Sequence, residues 1–156
     1  MLILAIDPGP KQSAYIRMTM YPGDSLPDIE AFNIIPNETL LTLLDYGIVV
    51  IEKVANMGMP VGAEVFETVY WTGRFAQRVI PLGGRVYRIE RVKVKHQLCG
   101  THRAKDANVR QAIINRFGGS AAIRKGGALY KISSHVWSAL AVGLTWIETY
   151  KTVDYG

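Results

Sequence analysis

Residues 2–6 form an unbroken apolar run, LILAI, that ends in Asp7 and the turn Pro8-Gly9. A run this short and this apolar predicts a strand buried on both faces. Residues 12–21, QSAYIRMTMY, alternate and carry aromatic and β-branched side chains, which predicts a second strand. The turn Pro22-Gly23-Asp24 and a third strand over 28–35 make the opening an antiparallel meander. Pro36-Asn37 then introduces a short helix over 38–44, with its leucines toward the sheet. Residues 47–52, GIVVIE, repeat the opening arrangement: a buried-type strand that ends in an acid.

The second half alternates helices with one more strand. Residues 54–60 read as a loop, and 61–79 as a long helix with Val65, Val69, Phe75 and Val79 among its apolar positions. A fifth strand is predicted over 84–89, while 91–96 fits a strand or a short helix equally well. Residues 100–103 are a loop and 104–117 a helix with Ala107, Ile113, Ile114 and Phe117 apolar; Gly118-Gly119 closes it. The glycine-rich, basic stretch 118–132 reads as a flexible surface loop. Ser133 or Ser134 is placed to cap a final helix over 135–150, largely buried through Val136, Leu140, Val142, Leu144 and Ile147.

This order of elements, in the α/β class, is that of the ribonuclease H-like fold: a mixed five-stranded sheet flanked by helices, with strands one and four adjacent at its centre. Asp7 and Glu52 would then meet at neighbouring strand ends. A carboxylate at the mouth of a buried strand is expensive to desolvate and calls for a cation or hydrogen-bond donors. Taken alone, Asp7 is explained as well by capping the Pro8-Gly9 turn. Two such carboxylates together point to a divalent metal ion.

Composition narrows the setting. With 156 residues, 49% hydrophobic and 20% charged, the chain fits one globular domain, 1–156, with a sizeable core. No apolar run approaches the roughly 18 residues of a membrane span, and the N-terminus lacks the basic start of a secretory signal, so no membrane and a cytoplasmic setting are expected. The one cysteine, Cys99, excludes an intrachain disulfide and reads as a small core or loop residue. Charge is unevenly placed: five Lys/Arg against nine Asp/Glu over 1–84, but twelve against two over 85–131. A basic block of that excess predicts a polyanion partner. Lys95, Arg103, Lys105 and Arg110 are its candidate phosphate contacts, with His102 as a plausible addition.

Four stretches, AIDPG at 5–9, VVIEKV at 49–54, GTHRAKDANVRQAI at 100–113 and HVWSALAVGL at 135–144, resemble in order and spacing the signature regions of the RuvC family of Holliday junction resolvases, in the form of its phage and prophage relatives. The resemblance implies a homodimeric, Mg²⁺-dependent endonuclease that cuts branched DNA in the cytoplasm of a bacterial cell or phage-infected host. Its metal ions would be held by acids on strand one, strand four and the last helix. Asp7 and Glu52 match the first two. The last-helix positions, three residues apart, hold His135 and Ser138. Histidine is a competent ligand for a transition-like ion such as Mn²⁺ or a group to orient the attacking water. Serine departs from the family's acid, and a neutral hydroxyl is a poor Mg²⁺ ligand, so the resemblance implies a weakened site.

Asp106, an acid within the basic block, reads either as a helix N-terminal residue favoured by the dipole or as the carboxylate that Ser138 does not supply. Phe66, Tyr70, Trp71 and Phe75 on the long helix divide between core, dimer interface and DNA wedge in a way the sequence leaves open. Glu64 and Glu67 on the same helix read as solvated charge, with approach to a metal as the alternative. Two other activities stand beside the resolvase: a junction-binding protein of the same fold with little catalysis, and a ribonuclease H-like nuclease for flaps or hybrids.

Overall fold

The computed structural model describes residues 1–45, 47–56 and 58–154, the side chains of 151–154 excepted. Five strands, β1 (Leu2–Asp7), β2 (Gln12–Thr19), β3 (Asp28–Pro36), β4 (Ile48–Lys53) and β5 (Arg85–Glu90), form one sheet in the order β3-β2-β1-β4-β5. β1 to β3 pair antiparallel, whereas β1–β4 and β4–β5 pair parallel. The mixed sheet and the central β1–β4 pair are as the element order predicts.

The helices are α1 (Asn37–Leu43), α2 (Ala63–Val79), α3 (Arg91–Cys99), α4 (Asp106–Arg116) and α5 (Val136–Asp154). They cover the sheet on both faces, and the parity of β1 and β4 explains how. Ile3, Ala5, Ile48 and Val50 belong to the core shared with α5, α3 and α4, while Ile6, Val49 and Ile51 belong to the one shared with α1 and α2. Both strands are therefore buried on both sides, which is why they read as continuous apolar runs.

α5 lies directly against β1 and β2. Its Gly143 is what lets it come so close: a Cβ there would stand 2.9 Å from that of Ala5 and 2.4 Å from the Met18 methyl. Tyr87, Trp146 and Tyr150 pack as an aromatic group farther along the helix.

Several expectations are revised. The ambiguous stretch 91–96 is helical, as the start of α3. The long helix begins at Ala63 rather than 61, and its Val69 is exposed. The basic helix begins at Asp106 rather than 104, and the last at Val136, so His135 sits in the turn before it. Ser133 and Ser134 meet that helix through their carbonyls, which accept the N–H groups of Val136 and Trp137. The stretch 118–132 is not a free surface loop. It contains a 3-10 turn, Ser120–Ile123, and Ala122, Leu129 and Ile132 are buried in the core. Its apolar residues fall in two short groups, 121–123 and 128–132, that show no helix or strand period, yet Ala122, Leu129 and Ile132 reach the core and Ile123 packs against it. The 54–60 loop is described except at Met57, which lies outside the described residues.

Candidate active site

Asp7 follows Ile3 and Ala5 in the alternation of β1, and Glu52 follows Ile48 and Val50 in that of β4, so both carboxylates leave the sheet on the α5 face. The register that pairs Ala5 with Val50 and Ile6 with Ile51 places them side by side one residue further on. Both side chains are mostly buried, 16% and 15% exposed. Burial holds the Asp7 carboxyl above its ordinary range, against the opposing pull of His135. Glu52 is pushed up to about 7, first by burial and then by the neighbouring Asp7 charge. Its Oε2 is buried without a hydrogen-bond partner.

The turn after Asp7 is held by a buried polar network. Ser13 Oγ accepts from the Gly9 N–H at 3.1 Å and donates to Asn37 Oδ1 at 2.6 Å, and Asn37 Nδ2 donates to the Gly9 carbonyl at 2.9 Å. At Gly9 a Cβ would lie 2.3 Å from the Gln12 carbonyl oxygen, so the tight path requires glycine. Pro-Gly after a strand is thus more than a generic turn here: it fixes the direction in which β1 delivers Asp7.

His135 Nδ1 lies 3.0 Å from Asp7 Oδ2, and its ring is otherwise largely exposed. Arg91, the first residue of α3, sits between two acids. Its guanidinium bonds Asp106 and stands 3.6 Å from Glu52 Oε2. Arg91 holds the Asp106 carboxyl below its ordinary range, chiefly through that hydrogen bond. Ser138 shares a groove of about 430 Å³ with Arg91, Asp106, Arg110 and His135. Asp7 and Glu52 line a separate cleft of about 670 Å³ with Arg91 and Lys95. The structure therefore joins Asp7, Glu52, His135 and Asp106 in one electrostatic cluster, with Ser138 at its rim.

Arg91 was not legible as a site residue. The signal was its place, directly after a strand adjacent to β4, but a strand-or-helix ambiguity over 91–96 hid it. Of the basic candidates, Lys95 lines the cleft of the acids. Arg103 and Lys105 are exposed in and after the 100–103 loop. Arg110 lies with its guanidinium 4.9 Å from the centre of the Trp137 ring, holding α4 against α5 as well as facing the groove. His102 lies elsewhere, beside Lys93 and His96 in a cavity behind α3. Glu64 and Glu67 are exposed on α2 and line a cleft that also holds Asp7 and His135.

Among the described residues, no three His, Cys, Asp or Glu side chains converge closely enough to form a ready metal cage. The donor set nevertheless fits a divalent cation in part. Two adjacent buried carboxylates of raised pKa and an orphaned Glu52 oxygen are an arrangement that a cation relieves. What the arrangement lacks is a third ligand already in place.

No protein-family model and no curated protein sequence matches the chain. Solved structures do. RuvC of Thermus thermophilus is similar at 18% identity and a TM-score of 0.75, over 99% of this chain and 97% of that one. The same protein in complex with its Holliday junction substrate gives 19% and 0.72, over 99% and 96%. The fowlpox virus Holliday junction resolvase gives 16% and 0.61, over 96% and 99%. At these identities the likeness establishes a shared fold across nearly the full length of each chain. No helix among the described residues is long and apolar enough to cross a membrane.

Proposed function

We propose that this chain is a divalent-metal-dependent, structure-selective endonuclease that cuts four-way or related branched DNA by phosphodiester hydrolysis. The observation that carries the reading is the pair Asp7 and Glu52, buried side by side at the ends of the two central parallel strands, beside the basic residues of α3 and α4. The fold likeness supports it, because the similar Thermus thermophilus RuvC has a structure in complex with Holliday junction substrate and the fowlpox virus Holliday junction resolvase one with its substrate junction DNA.

Asp7 and Glu52 would hold the ion, Mg²⁺ or Mn²⁺, which when bound supplies a lowered water pKa and neutralises charge developing on the leaving oxygen. His135 is fixed through Nδ1 by Asp7. With that nitrogen carrying the ring proton, Nε2 is left as an acceptor that orients the attacking water and takes its proton. Lys95, Arg103 and Lys105 bind phosphates, and Arg110 adds its charge from the α4 side.

Two incisions of like polarity resolve a junction, and one such site makes one of them. A two-fold homodimer supplies the pair. The exposed face of α2, with Phe66, Val69 and Tyr70 at 65%, 51% and 57% exposure, supports that assembly, since an apolar stripe of this kind on a free surface calls for a partner. Trp71 and Phe75 of the same helix are core instead.

The incomplete ligand set keeps a second reading in play, a junction-binding protein of the same fold with little catalysis. One experiment separates the readings. Labelled four-way junction, flap, RNA–DNA hybrid and duplex are incubated with the protein in Mg²⁺, Mn²⁺ or chelator. Metal-dependent cutting of the junction in preference to duplex supports the nuclease; binding without cutting in either metal supports the second reading; preferred cutting of flap or hybrid overturns both.

A further inference from the structure

The segment that joins α4 to α5 carries cations on a folded base. Between Asp106 and Glu148 the sequence contains no aspartate or glutamate, yet it contains Arg110, Arg116, Arg124, Lys125 and Lys131. Two of these are engaged inside the protein: Arg110 lies over Trp137, and Arg116 binds Glu148 and the Leu98 and Ala112 carbonyls. Arg124, Lys125 and Lys131 are exposed, and no described acid pairs with them. Like charges gathered in one short segment repel, and a polyanion relieves them.

The segment is built to hold them in place. Ala122, Leu129 and Ile132 are buried, and the Leu129 N–H donates to the Ala122 carbonyl at 2.8 Å, closing the loop that carries Arg124 and Lys125. Inside that loop the Gly127 N–H donates to the Arg124 carbonyl at 2.8 Å, and a Cβ on Gly127 would stand 2.2 Å from the Ala122 carbonyl oxygen. Only glycine lets the chain turn back so tightly. Lys131 then takes a φ of +68°, a left-handed conformation that glycine adopts freely and lysine at a cost. Its ammonium stands 5.6 Å from the centre of the Tyr130 ring, which is itself 40% exposed. Strain held at an exposed cation, with no described acid beside it, points to a function outside the fold.

The place of the segment says what it meets. Ser134, three residues beyond Lys131, lines the groove that also holds Arg110 and His135. His135 follows directly, so the Cα atoms of Lys131 and His135 are at most about 15 Å apart. A B-form duplex advances about 3.4 Å per base pair, so that reach spans about four or five base pairs. DNA held at His135 brings its own phosphates within range.

Resting on the nuclease reading, we propose that the 122–131 turn is a second DNA contact, in which Arg124, Lys125 and Lys131 hold the backbone phosphates of one duplex arm of the branched substrate beside His135. The contact is to the arm and not to the crossover, so it reads charge and not sequence. It acts separately from the basic residues of α3 and α4.

The test is binding of a four-way junction and of linear duplex by the full chain in chelator, at several salt concentrations. The variants are Arg124→Gln/Lys125→Gln, Lys131→Gly, and Arg78→Gln/Arg88→Gln, which removes two exposed charges from α2 and β5. The slope of log affinity against log salt should fall by about 2 in Arg124→Gln/Lys125→Gln and about 1 in Lys131→Gly, on junction and duplex alike. Arg78→Gln/Arg88→Gln should change it by less than about 0.5. Lys131→Gly should also melt no lower than the parent, because glycine relieves the strain at that position; weakened binding is then not a loss of fold. Equal slope losses in the two double variants would mean that net charge alone matters, and would overturn the proposal. Parental slopes in Arg124→Gln/Lys125→Gln and Lys131→Gly would overturn it too, and leave the segment to a partner other than DNA. A loss confined to the junction would overturn the assignment to an arm. Cutting is scored separately: parental cutting with unchanged slopes removes this inference alone, while the expected slopes without cutting in Mg²⁺ or Mn²⁺ remove the nuclease reading alone.

Discussion

His135 Nδ1 and Asp7 Oδ2 meet at 3.0 Å across 128 residues of sequence. The bond joins the end of the first strand to the turn that starts the last helix, and it forms because α5 is drawn onto β1 by the close approach at Gly143. It also offsets part of the cost of burying Asp7, whose carboxyl is pulled down by His135 while burial pushes it up. The acid orients the imidazole and the imidazole stabilises the acid. Neither role survives if the helix shifts along the strand.

Asp7→Asn and Glu52→Gln should each abolish cutting while junction binding in chelator stays within about twofold of the parent. Each change removes a metal-holding charge and keeps the shape, and the basic surface is untouched. Cutting and filter-binding assays on the same preparations check this. Parental cutting by either variant would put the site elsewhere.

Stability of the metal-free protein should fall as pH rises. The folded Glu52 carboxyl titrates at about 7 against 4.5 when unfolded, so the folded state holds its proton more tightly and must bury a charge as that proton leaves. The stabilisation is complete below pH 4.5 and is lost on rising through 7, a difference of about 3 kcal/mol. Asp7 shifts in the same direction; Asp106 shifts in the other, so its contribution is lost only on going to more acid pH. Melting temperatures in chelator from pH 5 to 8 should decline for the parent and flatten in Glu52→Gln. A flat parent would mean that Glu52 is solvated.

The central pair was legible because two unbroken apolar runs each ended in an acid, and β1 and β4 are buried on both faces as such runs require. His135 was legible through the resemblance, and the structure places its Nδ1 3.0 Å from Asp7 Oδ2. Arg91 was not, because an exposed arginine and a clamping one look alike in sequence and only the packing of α3 beside β4 distinguishes them. The 118–132 stretch failed for the opposite reason. Its four glycines and three basic residues read as a free loop, while Ala122, Leu129 and Ile132 are buried and Ile123 packs against the core.

Junction binding should weaken steeply with salt, since each neutralised phosphate releases condensed counterions. Lys95→Ala and Lys105→Ala should each lower the slope of log affinity against log salt by about 1. Arg110→Ala should also lower the melting temperature, because its guanidinium covers Trp137. Binding measured at four salt concentrations in chelator checks all three. Slopes equal to the parent's would remove these residues from the DNA contact.

Phe66→Glu should convert the proposed dimer to monomer. Phe66 is 65% exposed and Val69 and Tyr70 lie on the same stretch of α2, so a charge there costs the assembly and not the fold. Light scattering should show half the parental mass, with an unchanged melting temperature at low protein concentration. Cutting should then leave singly nicked junctions. A parent that is monomeric both free and on a junction would withdraw the paired-incision scheme.

Ser138→Asp restores an acid at the position where the resemblance expects one, and its effect depends on whether Asp106 already fills the role. Residue 138 lies in the groove that holds Asp106 and His135. A carboxylate added there without metal joins Asp7, Glu52 and Asp106, so like-charge repulsion should lower the metal-free melting temperature and Mn²⁺ should restore it. If Asp106 supplies the acid that residue 138 lacks, the gain in Mg²⁺ affinity should be modest, about threefold or less. With Asp106→Asn in the same chain, Ser138→Asp should then give a larger gain in affinity and in the cutting that goes with it. The parent should also favour Mn²⁺ over Mg²⁺, since imidazole suits the softer ion, and the added aspartate should narrow that preference. Metal titrations of junction cutting for the four combinations of 106 and 138 decide the matter. Equal gains in both backgrounds would make the two positions independent and leave residue 138 as a ligand site that this chain has lost without replacement.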